Sequence, residues 1–155
     1  MNMRVTVILA AMALALGLTA SAQVNPLAFY PKFFWGDTLD KGVILVSPLE
    51  MVLIDSMGVK YGKVSAKDSV DIVFMSPDGK KLAYTAASKV WLVKVETGET
   101  QLVASGDCGY LRWNSDSLSF MFVISEYKKD TSPASLSIKL FWADGDGKNV
   151  KQVYP

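Results

Sequence analysis

Residues 74–84 read Phe74-Met75-Ser76-Pro77-Asp78-Gly79-Lys80-Lys81-Leu82-Ala83-Tyr84, and this stretch decides the fold. Apolar residues on each side are split by a turn whose chemistry is explicit. Pro77 presets φ, Asp78 can bond its own backbone, and Gly79 tolerates the positive φ that closes a hairpin. Working outward, residues 71–75 and 82–85 become paired strands and residues 90–95 a third. Glu96-Thr97-Gly98-Glu99 forms a second turn, and residues 100–104 a fourth strand. Four antiparallel strands in about 35 residues make a meander.

The unit repeats. Shifting it forward by 38 residues carries Met75 onto Trp113, Asp78 onto Asp116, Leu82 onto Phe120 and Tyr84 onto Phe122. That copy then inserts residues 125–134, recovers its third strand at 135–142, turns at Asp144-Gly145-Asp146-Gly147 and ends with 150–154. Shifting backward by 40 carries Phe74 onto Phe34, Lys81 onto Lys41 and Gly98 onto Gly58, with third and fourth strands at 51–55 and 59–64. The first turn of this copy, Gly36-Asp37-Thr38-Leu39, is degraded. Three copies result, at about 30–66, 70–104 and 108–155. A period near 40 with four strands per copy is the pattern of propeller blades. The expected fold is therefore all-β, with four-stranded antiparallel meanders as about three propeller-type blades. A β-sandwich is the alternative for so many short strands.

The second copy resembles the WD-like repeat of TolB-type β-propellers. The residues that carry the resemblance are 74–84, then Val90-Trp91-Leu92-Val93 and Glu96-Thr97-Gly98-Glu99-Thr100. In that family an aromatic-Ser-Pro-Asp-Gly turn joins the first two strands, and a Gly-containing turn joins the third and fourth. The third copy departs at Trp113-Asn114-Ser115-Asp116-Ser117, which lacks Pro and Gly, but its ending at Asp146-Gly147-Lys148-Asn149-Val150 fits. Such blades occur in the periplasmic TolB protein, where they bind envelope proteins. They also form the non-catalytic propeller of prolyl-oligopeptidase-type hydrolases. The resemblance implies architecture, export and a binding tendency rather than a reaction. Propellers close with four to eight blades, and three leave both ends of a stack open. Three outcomes follow: a homodimer closing a six-bladed ring, a truncated product of a longer gene, or termini folded as caps, with residues 23–32 over one end.

Half of the residues are hydrophobic, and part of that share reads as a leader. Arg4 gives a positive start, residues 5–20 are apolar, and Ala20-Ser21-Ala22 precedes Gln23 as an A-x-A cleavage site. The expected organisation is a signal peptide over 1–22 and a single all-β domain over 23–155. The expected location is the periplasm or the exterior of a bacterial cell. With 16 Lys+Arg against 15 Asp+Glu, the chain offers no basic footprint for nucleic acid. The 16-residue apolar run of the leader falls short of a membrane span, and no longer one follows it.

The chain contains no histidine. Ser-His-Asp and Cys-His nucleophile pairs, the usual zinc sites and the commonest pH switch are thereby lost. Cys108 is the only cysteine, so no intrachain disulfide forms. Pairing between chains is one role for it, and the apolar context Cys108-Gly109-Tyr110-Leu111 favours a small core residue. Asp144-Gly145-Asp146-Gly147-Lys148-Asn149 resembles the start of a calcium loop, but Asn149 and Pro155 stand at the sixth and twelfth positions, so a hairpin turn is preferred. Ser125-Glu126-Tyr127-Lys128 matches S-x-x-K, yet it follows a strand and lacks the helix that returns Lys to Ser.

No catalytic, metal or cofactor residues are assigned, and no enzyme activity is expected. Pro77, Asp78, Gly79, Gly98, Asp116 and Gly147 are read as structural turn residues. The one feature the repeat does not need is the insertion, where Tyr127, Lys128, Lys129 and Asp130 form a candidate contact loop for a protein or peptide partner in the envelope. The expected function is a secreted, non-enzymatic binding or scaffolding module. The alternatives are a propeller fragment of a secreted peptidase and a truncated product without activity.

Overall fold

The computed structural model describes residues 31–36, 40–128 and 135–155. Among the described residues, twelve strands run in chain order: β1 (Lys32–Trp35), β2 (Lys41–Ser47), β3 (Glu50–Asp55), β4 (Lys60–Ser65), β5 (Val70–Met75), β6 (Lys81–Ala86), β7 (Lys89–Lys94), β8 (Thr100–Ser105), β9 (Asp107–Trp113), β10 (Ser119–Lys128), β11 (Ser135–Asp144) and β12 (Val150–Tyr154). They form three separate four-stranded sheets, ordered β1-β2-β3-β4, β5-β6-β7-β8 and β9-β10-β11-β12, each an antiparallel meander. The first sheet is a full blade, although its sequence alone carries only faint repeat marks. The expected leader and the proposed cap lie outside the described residues, save Pro31 and, in β1, Lys32.

The sheets stack rather than form two layers, which replaces the sandwich alternative. Their inner strands touch, β1 against β5 and β5 against β9. One apolar cluster joins the first two sheets, with Val43, Leu45, Met51 and Leu53 meeting Leu82, Tyr84 and Val93. A second joins the other two, with Ala83, Val90 and Leu92 meeting Trp113, Phe120 and Phe122. The middle sheet is thus covered on both faces. This is why β6 reads Lys-Leu-Ala-Tyr-Thr-Ala with five successive buried positions, where a half-exposed strand would alternate. Burial of a side chain the size of Leu82 or Phe120, each 0% exposed, contributes about 1.5–3 kcal/mol.

Polar bonds set the stacking register. The Trp113 indole donates from Nε1 to the Phe74 carbonyl at 3.1 Å across the second interface, and its ring lies 4.7 Å from that of Phe120. The Tyr84 hydroxyl accepts the Lys67 N–H at 3.0 Å. Trp91 stacks on Tyr84 at 6.4 Å, but its Nε1 finds no acceptor among the described residues.

The β5–β6 turn has the chemistry expected of it. Gly79 adopts φ +68°, and the Gly79 N–H bonds the Ser76 carbonyl at 2.8 Å. Asp78 Oδ1 accepts from the Ser76 hydroxyl at 2.7 Å and from the Lys80 N–H at 3.0 Å. The same loop touches both neighbours: Lys41 Nζ donates to the Asp78 carbonyl at 2.7 Å, and the Asp78 N–H to Ser117 Oγ at 3.0 Å. In the third sheet Ser117 takes the place of Gly79 at φ 60°, and Asp116 Oδ1 accepts the Leu118 N–H at 2.8 Å. The strain of a non-glycine residue there is tolerated where its hydroxyl makes the bond between sheets. The degraded first turn closes like the others. Gly36 N–H bonds the Lys41 carbonyl at 2.9 Å, as Ser76 does with Lys81 and Asn114 with Ser119; residues 37–39 lie outside the described residues.

Two predictions follow from this stitching. Burial works to raise the Asp78 carboxyl, but the Lys80 N–H, the Ser76 hydroxyl and the charges of Lys80 and Lys81 outweigh it and hold the group below its usual range. Its contribution to stability is therefore present above the unfolded pKa, about 3.9, and is lost as pH falls through the lower folded value. Melting temperature followed from pH 7 to pH 2 should fall on the acid side, with a shallower fall for Asp78→Asn; identical slopes would contradict the turn's role. Trp113→Phe should cost about 1–3 kcal/mol by removing the donor to Phe74. Trp91→Phe, which removes a donor without an acceptor, should cost less than about 1 kcal/mol by the same reasoning. Chemical denaturation checks the pair.

Candidate functional site

The insertion is not a loop from its start. Ser125, Glu126, Tyr127 and Lys128 continue β10, opposite Ile138, Ser137, Leu136 and Ser135 of β11. The physical reason is cross-strand pairing: Val123, Ser125 and Tyr127 alternate on one face and meet Leu140, Ile138 and Leu136, which extends the ladder. Lys129 and Asp130 lie outside the described residues, as does the Lys128 side chain. The equivalent hairpin of the middle sheet turns at Ala87 and Ser88, directly after the Ala86–Lys89 pair. The third sheet therefore projects a β-hairpin beyond its neighbours. One face carries an apolar row, Tyr127 60% exposed, Leu136 60% and Ile138 50%. The other carries an ion pair, Lys139 Nζ to Glu126 Oε1 at 2.7 Å.

At the root of this hairpin lies a cleft of about 670 Å³ between the second and third sheets. Asp68, Asp71 and Asp107 line it together with Ser88, Cys108 and Ser125. Asp107 pairs with Ser125 in the β9–β10 ladder, so cleft and hairpin are continuous. The Ser88 hydroxyl donates to Asp107 Oδ1. Cys108 is 9% exposed, and burial pushes its thiol up against the smaller opposing effect of its hydrogen bonds to Tyr110 and Val123, which suits a core residue and keeps the thiol protonated at neutral pH. Among the described residues no group of three or more His, Cys, Asp or Glu side chains is arranged to hold a metal ion.

Of the residues singled out in sequence, Tyr127 and Lys128 fall on the hairpin. Pro77, Asp78, Gly79, Gly98, Asp116 and Gly147 are on the turns at the other end of the blades. Asp144-Gly145-Asp146-Gly147-Lys148-Asn149 is the β11–β12 turn, with Asp144 Oδ1 accepting the Lys148 N–H at 2.9 Å. The cleft acids Asp68, Asp71 and Asp107 escaped sequence reasoning. Their only mark is their place in or just beside the connections that lead into the inner strands, where Asp107 joins Asp68 and Asp71 on one rim.

Shortening the hairpin symmetrically, by replacing residues 126–137 with Asn-Gly, should leave the melting temperature within a few degrees. The described ones among those residues lie outside both apolar clusters. A collapse of soluble protein would show the hairpin to be structural.

In sequence, no protein-family model matches the chain, and no curated protein does. In structure it is similar to putative TolB from Agrobacterium tumefaciens at TM-score 0.56 and 14% identity, over 81% of this chain and 50% of that one. It is similar to Pyrococcus horikoshii acylaminoacyl peptidase at TM-score 0.53 and 18% identity, over 74% and 23%. It is also similar to the Neurospora crassa Pan2 WD40 domain at TM-score 0.50 and 13% identity, over 78% and 38%. The chain spans half or less of each of these. At such identities the likeness is one of fold: this is an all-β chain of three propeller-type blades, in which closure into a ring is not seen.

Proposed function

We propose that the chain is an exported, non-enzymatic binding module whose ligand is a protein or peptide of the bacterial envelope. The observation that carries this is the projecting hairpin of the third blade with the acidic cleft at its root. Three carboxylates in one cleft suit an extended segment with a basic side chain or a free amino terminus. The leader pattern of residues 1–22 supports export, and the absence of histidine from the sequence supports a role other than imidazole-dependent hydrolysis. No helix among the described residues is long and apolar enough to cross a membrane.

A second reading has one observation in its favour, the likeness to a peptidase of which this chain spans 23%. In that reading the blades gate substrate for a catalytic unit encoded elsewhere. An arrayed library of basic and neutral peptides, probed with the purified chain, separates the two. Binding of basic peptides that weakens at least about tenfold in Asp107→Asn and falls with added salt supports the module. No peptide preference, or one untouched by the substitution, would count against it. Mass spectrometry of the mature N-terminus tests export: a start at Gln23 is expected, and a retained leader in the soluble cell fraction would overturn it.

A further inference from the structure

The two ends of the stack carry apolar sheet faces with no partner among the described residues, and they are not alike. On the first blade Phe33, Ile44 and Val52 share one row of the outer face, and Trp35, Gly42 and Ile54 the next. Phe33 is 59% exposed and Trp35 50%. On the third blade the outer rows are Tyr110, Val123 and Leu140, then Arg112, Met121 and Trp142. We propose that these faces are complementary to each other, and that a second copy of this chain packs its third blade on the first blade of the other, head to tail at both junctions.

The argument is the register of the interfaces already present. Trp35, Met75 and Trp113 occupy one position in the three copies, and Phe34, Phe74 and Arg112 the position before it. Phe34 packs toward the second blade and Phe74 toward the third. Trp113 covers Phe120 and bonds the Phe74 carbonyl. Trp35 stands ready for the same work: its ring lies so close over Gly42 that a Cβ there would meet it at 2.9 Å. By register, its acceptor is the Arg112 carbonyl of a second copy. Arg112, in place of Phe34 and Phe74, sets a guanidinium beside an exposed indole, a favoured cation–π pairing.

Side-chain volumes point the same way. At the second interface a small residue of the outgoing face, Ala83, lies in one cluster with a large one, Phe120. At the first, two medium residues meet, Val43 and Leu82. The matching pair on the outer faces is Met121 of the third blade and Gly42 of the first, where the missing side chain makes room for the Trp35 ring on which Met121 would pack. Two copies joined twice in this way give six blades, within the range in which propellers close, and a two-fold ring leaves neither face exposed. The binding role proposed above is not needed for this.

Light scattering on a sizing column, with the expressed full chain over a range of concentrations, tests it. A discrete species of twice the chain mass is expected. Trp35→Asp and Val123→Asp should each weaken it at least about tenfold with an unchanged circular dichroism spectrum. Arg112→Glu, at an exposed position, gives a third variant that cannot fail by disrupting a core. Four outcomes overturn the proposal. One is a monomer at every concentration reached, as when residues 1–30 or another polypeptide cover a face. Another is a dimer indifferent to all three substitutions. A dimer sensitive on one blade only would mean like packing on like. An open series of larger species would mean that the ring does not close.

Discussion

The stack depends on one loop that speaks to three blades at once. The turn at Ser76–Lys81 closes its own hairpin through the Asp78 carboxylate, while the Asp78 carbonyl takes Lys41 Nζ and the Asp78 N–H reaches Ser117 Oγ. A four-stranded meander has two faces, and in the middle blade both are apolar. Such a sheet gains little from burying one face, so neighbours must be held at a fixed offset on each side. The turn does this at the outer end of the inner strands, and the Trp113 indole does it nearer the core.

From that constraint the rest is ordered. Strands near the middle of the stack read as nearly continuous apolar runs, and β12 at the periphery is mostly exposed. The two terminal blades each keep one apolar face uncovered among the described residues. The β10–β11 hairpin, longer than its equivalents among the described residues, rises at the end of the blades opposite the Asp78 turn. Its described residues lie beyond the two clusters that join the blades.

Legibility in the sequence followed the strength of local chemistry. The middle blade was readable because Pro77, Asp78 and Gly79 specify a turn without help from the rest of the fold. The third was readable through Asp116 and Gly147 despite Ser117, whose positive φ no local rule would assign. The first was faint because its turn at 36–39 lacks those residues, and its strand pairing rests on packing against Leu82 and Tyr84. The hairpin was misread as a loop from Ser125 because Ser-Glu-Tyr-Lys has little strand character by itself. Its pairing with Leu136 and Ile138 is supplied by the opposite strand.

By itself the sequence determined the blade, since period, alternation and turn residues act within a few residues of one another. It also determined the chemistry that is missing, since a chain without histidine lacks imidazole however it folds. Only the tertiary structure decided that Asp68, Asp71 and Asp107 share one cleft and that Trp35 and Trp142 lie on opposite outer faces. These are relations between blades, set by a stacking offset of about 40 residues, and no local pattern encodes which side of a sheet will find a neighbour.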